Sequence, residues 1–280
     1  MNRTVRTAAA LSATALVMAG CSAGGEEPAA QSPAADEAGV TTLTVGASPV
    51  PHGEILEFVD SELAADAGLD LEIVTFDDYV LPNTALAEGD LDANYFQHLP
   101  YFESQVEEQG FEFDHFDGVH IEPYGIYSDS VESVDDLPDG GLVGITNDPG
   151  NQARALELLE TAGVITLAET EGDPTLFDIA ENPKNLEFVE TAPEQLVRSL
   201  QDVDAAIING NYALEAELNP AEDSIYLESG EENPYANFLA VRSEDKENEA
   251  LVRLDELLRS DEVRAFIEER WAAGEVIPAF

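Results

Sequence analysis

The chain has 280 residues, with 11 Lys and Arg against 59 Asp and Glu, a formal net charge of −48. A surface this acidic repels nucleic acid and anionic lipid headgroups, which argues against both as binding partners. It also repels itself in dilute buffer, so the composition fits a protein that works in high salt, where the repulsion is screened.

Residues 1–20 read as a secretion signal. Arg3 and Arg6 form a positive start, and the apolar run Ala8 to Ala19 is too short to span a bilayer as a mature helix. Met18-Ala19-Gly20-Cys21 follows, and small residues before a lone cysteine resemble a bacterial lipobox, although Met18 stands where Leu is usual. Cys21 is then the lipidated N-terminus, and with no second cysteine no internal disulfide can form. Loss of Arg3 and Arg6 with the signal leaves 9 basic residues and a net charge of −50. Residues 21–41, rich in Ala, Pro, Glu, Ser and Gly up to Gly39, read as a disordered tether. No later run is long enough to cross a membrane.

Strand and helix patterns then alternate. Thr42 to Ala47 is β-rich. Ile55, Leu56, Val59 and Leu63 lie at helical spacing and Gly68 stops that helix. Leu71 to Phe76 reads as a strand. Pro82 to Glu88 and Leu99 to Glu108 read as helices closed by Gly89 and Gly110, and Val119 to Tyr127 is extended. The pattern restarts with a strand from Leu142 to Thr146. Asp148 reads as an N-cap, with Pro149 at the first helical position and the helix ending by Gly163. Pro193 to Leu200 is a helix, Ala205 to Asn209 and Asn237 to Val241 are strands, and two amphipathic helices, Glu247 to Leu258 and Asp261 to Ala273, finish the chain. This alternation predicts parallel sheets covered on both faces. Two such runs predict two α/β lobes, with ligand beyond the carboxyl ends of the strands, in a shared cleft.

None of the standard hydrolase, nucleotide-binding or zinc-protease motifs is present. Ser48, His52 and Glu54 are close in sequence, but a nucleophile–base pair is defined by geometry. His115 and His120, among Asp114, Asp117 and Glu122, offer metal-ligand chemistry without a standard spacing. The cations say more. Arg154 is the only Lys or Arg between Arg6 and Lys184, and it sits early in a helix whose N-terminus favours an anion. Its guanidinium could grip a carboxylate with two hydrogen bonds, and an ordinary ion pair with a neighbouring acid is the competing reading. Tyr79 and the string Asn94-Tyr95-Phe96-Gln97-His98-Leu99-Pro100-Tyr101 put aromatic and amide groups where pocket walls form, although core packing of Phe96 would look the same.

Several strings, in order, carry a resemblance. They are Val45-Gly46-Ala47-Ser48-Pro49-Val50-Pro51-His52-Gly53-Glu54-Ile55-Leu56, then Asp78 to Leu86, Leu91 to Tyr101, the stretch around Arg154, Glu181 to Leu186, and Ile207 to Ala213. Over Thr42 to Phe280 the chain resembles methionine-binding lipoproteins of the NlpA/MetQ type. The resemblance implies a two-lobed, type II-like periplasmic-binding-protein fold with 42–123 plus 235–280 as lobe 1 and 124–234 as lobe 2. It implies a ligand site made of Tyr79, Phe96, His98, Tyr101, Arg154 as carboxylate clamp, Asn209 and Asn237. It further implies a monomer, lipid-anchored on the extracytoplasmic face, that delivers L-methionine to the permease and ATPase of an ABC importer, with no cofactor, no metal and no enzymatic activity. The alternatives are another apolar amino acid or a Met-containing dipeptide as ligand, a metal-binding lipoprotein or enzyme on the same fold, and an adhesive lipoprotein without a ligand.

Overall fold

The computed structural model describes residues 32–231 and 233–280; the signal, Cys21 and the first part of the expected tether lie outside the described residues. Residues 32–40, at the end of that tether, form no strand or helix but are tied to the folded body. The Ser32 hydroxyl donates to Asp245, and Asn248 donates from Nδ2 to the Pro33 carbonyl at 3.0 Å.

The first lobe starts with β1 (Thr41–Ala47), a helical stretch around α1 (Glu54–Val59), β2 (Leu69–Thr75), α2 (Leu81–Glu88), β3 (Ala93–His98), α3 (Leu99–Gln109), β4 (Phe113–His115) and β5 (His120–Ile121). The second holds β6 (Gly125–Tyr127), β7 (Leu142–Thr146), α4 (Pro149–Thr161), β8 (Thr166–Leu167), β9 (Ile179–Glu181), β10 (Glu187–Thr191), α5 (Leu196–Ser199), β11 (Ala205–Ile208), α6 (Gly210–Glu215), α7 (Pro220–Asp223) and β12 (Tyr226–Leu227). The chain returns to the first lobe with β13 (Asn237–Arg242), α8 (Glu249–Leu258), α9 (Asp261–Arg270) and β14 (Ile277–Pro278). The first sheet runs β14-β5-β13-β3-β1-β2 with β4 also on β13, the second runs β10-β7-β11-β6-β12, and β8 pairs with β9. The chain thus changes sheets between Ile121 and Gly125 and again between Leu227 and Asn237.

Helix ends follow the residues that mark them. Gly68, Gly89 and Gly110 take the left-handed conformation with φ of 68°, 83° and 71°, which a side chain would disfavour. Asp148 caps α4 by accepting from the Asn151 N–H. Each lobe has its own core: Val45, Tyr95, Leu251 and Trp271 in the first, Ile145, Leu156 and Ile207 in the second. A third cluster joins the lobes, packing Tyr79, Phe96 and Tyr101 against Leu196, Ile208 and Tyr212.

The sheets are mixed rather than wholly parallel. β1, β2 and β3 are parallel, as are β7, β10 and β11, but β13 is antiparallel to β3 and β6 is antiparallel to β11. The crossings explain this. Parallel strands end at the cleft, whereas a strand that has just crossed between lobes starts there and must run away from it. Strand β3 shows no sequence alternation because all six of its residues are buried. Its polar Asn94 and Gln97 both donate to Asn83 Oδ1, at 2.9 Å each.

With 11 cations for 59 acids, most carboxylates face only water or one another. The unfolding midpoint is therefore expected to rise markedly between about 0.1 M and about 2 M NaCl, as screening removes self-repulsion. Thermal melts across that range check this; an unchanged midpoint would remove the high-salt reading.

Candidate functional site

A narrow cavity lies between the lobes. Tyr79, Phe96, His98, Tyr101, Arg154, Asn209 and Asn237 all line it. Their positions follow from the topology. His98 ends β3, Asn209 follows β11, Asn237 begins β13 and Tyr79 lies beyond β2, so the strand ends deliver them to the cleft.

The aromatic wall is built on Tyr79. Its ring centroid lies 5.9 Å from Phe96, 5.7 Å from Tyr101 and 5.0 Å from Tyr212 of α6. The Tyr101 hydroxyl donates to the Tyr79 carbonyl at 2.8 Å, and the Tyr79 hydroxyl donates across the cleft to Asn211 Oδ1 at 2.5 Å. Burial pushes the Tyr79 phenol well up, so it stays a donor.

The amide side is a chain of caps. His98 caps α3, its Nδ1 accepting from the Tyr101 N–H, which leaves the proton on Nε2. That Nε2 meets Asn151 Oδ1 at 3.1 Å, and Asn209 Nδ2 donates to the same oxygen at 2.8 Å. Asn151 is aimed by Asp148 Oδ1, which accepts from its backbone and side-chain nitrogens at 2.9 and 3.1 Å. Burial, and then the charge of Arg154, lower the His98 pKa to about 3, so the ring is neutral. Asn209 Oδ1 and Asn211 Nδ2 are buried with no partner among the described residues, one free acceptor and one free donor.

Arg154 is buried between the rings of Tyr235, at 4.2 Å, and Tyr124, at 4.9 Å. The two-pronged grip expected on a ligand carboxylate is made here on Glu228. Nε reaches Oε1 at 2.9 Å and Nη2 reaches Oε2 at 2.5 Å, while Nη2 also donates to the Glu122 carbonyl at 2.9 Å. Nη1 makes no hydrogen bond among the described residues. Burial acts to lower the Arg154 pKa, but Glu228 outweighs it and the net shift is upward.

The candidate metal set rearranges. His115 packs on Phe238, with centroids 4.4 Å apart, and its Nδ1 meets the Phe116 carbonyl. Asp114 and Asp117 pair with Lys246 and Arg259. His120 and Glu122 instead meet His52, with donor atoms within 4.8 Å of one another. The contacts read as hydrogen bonds. His120 Nε2 and His52 Nε2 approach Glu122 Oε1 at 2.8 and 3.1 Å, and His52 Nε2 also faces Asn237 Oδ1 at 3.1 Å. A nitrogen flanked by two oxygens carries a proton, and a metal would need its lone pair. Of the Ser48, His52 and Glu54 trio, Glu54 pairs with Arg270 on the outside and the group is not assembled.

Sequence reading singled out neither Glu228 nor Asn151 and Asn211, and took Glu122 only as a metal ligand. Asn151 and Asn211 sit inside strings that carry the resemblance; Glu228 had no signal among so many acids.

Comparison with known proteins agrees with this architecture. The family model described as NlpA lipoprotein matches residues 43–280. The methionine-binding lipoprotein MetQ of Bacillus subtilis is 42% identical over 248 residues, covering 86% of this chain and 89% of that protein. Among solved structures, a nutrient binding protein from Burkholderia cenocepacia bound to methionine has a TM-score of 0.81 at 43% identity, covering 85% of this chain and 100% of that one. A periplasmic substrate-binding protein of an ABC transporter from Coxiella burnetii has a TM-score of 0.80 at 40% identity, with coverage of 85% and 100%. By sequence over nearly its whole folded length, and by fold, this chain belongs to the NlpA lipoprotein family.

Proposed function

We propose that the protein is the lipid-anchored, extracytoplasmic solute-binding component of an ABC importer and that methionine is its ligand. The observation that carries this is the convergence of Tyr79, Phe96, His98, Tyr101, Arg154, Asn209 and Asn237 on one cavity between the lobes. Aromatic walls suit a flexible, polarisable thioether, and the free polar atoms of Asn209 and Asn211 suit the amino acid's polar end. Arg154 Nη1 supplies the positive edge for the ligand carboxylate. The solved methionine-bound relative supports the same choice. Cys21 provides the anchor, with a second acyl chain needed for stable attachment.

A thermal-shift panel of the twenty amino acids, both methionine enantiomers, Met dipeptides and divalent metals tests this, followed by titration of the hits. Methionine is expected to stand clear of the rest, since stabilisation grows with ligand concentration over its dissociation constant. Losing the burial of the side chain costs about 2–3 kcal/mol, so glycine should bind roughly 30- to 150-fold more weakly. Phe96→Ala should weaken methionine more than alanine, because only methionine reaches that wall. A shift by a metal and not by methionine would overturn the proposal; a shift by a dipeptide alone would keep the site and change the ligand.

A further inference from the structure

We propose that Tyr212 is a positioning residue for closure: with Tyr79 it forms a clasp across the mouth of the cleft, and it sets how long a bound ligand is held without touching that ligand. This rests on the amino-acid reading of the cleft and adds to it a residue outside the cavity.

The two tyrosines come from opposite lobes and lie side by side, with ring centroids 5.0 Å apart and planes tilted by 33°. Their hydrogen bonds cross the mouth in opposite directions. Tyr79 of the first lobe donates to Asn211 Oδ1 of the second at 2.5 Å, and Tyr212 of the second lobe donates to the Asp77 carbonyl of the first at 3.2 Å. Both bonds join protein to protein, so both form when the lobes close and both break as they part. Burial, and then the charge of Glu194, raise the Tyr212 phenol pKa, so the hydroxyl stays a donor.

Placement gives the clasp its leverage. The chain crosses between lobes from β5 to β6 and from β12 to β13, and β2 is the edge of the first sheet farthest from those crossings. Asp77 and Tyr79 follow β2, so the clasp fastens the side of the cleft opposite the crossings. Tyr79 lines the cavity, whereas Tyr212 lines an outer groove with Asp77, Glu194, Arg198 and Glu215. Asp77 and Arg198 are exposed there, which makes the ring pair the partition between ligand and solvent. The groove also supplies the force that the clasp resists. Asp77 lies on one lobe, Glu194 and Glu215 lie on the other, and Asp77 adds to burial in raising the Glu215 pKa. Like charges on the two sides favour opening, and two hydrogen bonds with a paired set of rings oppose it.

Calorimetry and stopped-flow binding of L-methionine and L-norleucine by wild type and by Tyr212→Phe test the assignment. The variant keeps the ring and loses only the hydroxyl. It should weaken both ligands by the same factor, roughly 2- to 12-fold, as for loss of one neutral hydrogen bond. The loss should lie in faster dissociation with association unchanged, because the bond forms only once the lobes have closed. Unchanged affinity would overturn the proposal and leave Tyr212 a packing residue. A loss for one ligand and not the other would overturn it too, since Tyr212 would then shape the side-chain slot. So would a loss carried by slower association, which a clasp formed after encounter cannot cause. If wild type binds neither amino acid, the amino-acid reading falls and this one with it; if wild type binds methionine and Tyr212→Phe matches it in affinity and rates, only the clasp falls.

Discussion

Arg154→Ala is expected to lower methionine affinity by about 30-fold to several thousand-fold, the 2–5 kcal/mol typical of deleting one partner of a buried charge pair. Two effects add here. The ligand loses the one guanidinium that lines the cavity among the described residues, and Glu228 is stranded. Glu228 would keep the Tyr124 N–H at 3.1 Å and Asn233 Nδ2 at 2.8 Å, but no cation. The variant should therefore also unfold at lower denaturant, because an unpaired carboxylate remains in a largely buried place. Arg154→Ala/Glu228→Gln separates the effects. It should regain much of the stability, since the stranded charge is gone, and none of the affinity. Arg154→Lys should lose affinity as well, because one ammonium cannot hold the Glu228 fork and reach a ligand together. Calorimetry and urea unfolding on the three variants check this. Wild-type affinity in Arg154→Ala would sink the clamp assignment, and affinity restored by Glu228→Gln would reduce Arg154 to a neutraliser of Glu228.

The parts of the fold legible in the sequence are those with local punctuation. The Asp148-Pro149 start of α4 and the glycine ends at 68, 89 and 110 needed only capping physics. Strand β3 was hidden because burial on both faces removes the period-two pattern, and its polar residues looked like site chemistry when Asn94 and Gln97 serve an internal amide network. The antiparallel strands β6 and β13 were not legible either, since their direction is set by where the chain crosses between lobes. Strand β10, Glu187–Thr191, is largely exposed and acidic, and reads as loop from composition.

The site divides in the same way. Arg154 was visible because it is rare in its stretch, and the aromatic residues because they cluster in sequence. His52, Glu122 and Glu228 were not visible as a group, because nothing local marks one acid out of 59 or pairs a histidine after β1 with a carboxylate after β5. His120 and Glu122 lie two residues apart and so share a face of an extended segment, which could have hinted at their partnership. His115 takes the other environment, against Phe102 and Phe238.

Acid should destabilise the protein well before its surface carboxylates titrate. His52, His98 and His120 are buried, and burial lowers their pKa values from the ordinary 6.5 to about 4, about 3 and about 3. As pH falls through 6.5 the unfolded chain takes up three protons that the native state refuses until about pH 4. The unfolded state then binds more protons, so stability falls with falling pH in that window. Each imidazole contributes about 1.4 kcal/mol per pH unit, or roughly 2 kcal/mol at pH 5 and about 6 kcal/mol for the three. Buried carboxyls oppose this. Burial raises the Glu122, Asp148 and Asp92 pKa values, so the native state gains protons there before the unfolded chain does. A net loss of stability between pH 7 and pH 5 is expected, smaller than the roughly 6 kcal/mol of the three imidazoles by what the carboxyls return. Urea unfolding at both pH values, in about 2 M NaCl to screen the acidic surface, measures it. His98→Gln should flatten the profile by about one imidazole's share, roughly 2 kcal/mol, while leaving the His52–His120–Glu122 group in place. A wild-type profile flat from pH 7 to pH 5, with no change on His98→Gln, would mean that the His98 ring titrates alike folded and unfolded and is not held neutral by burial.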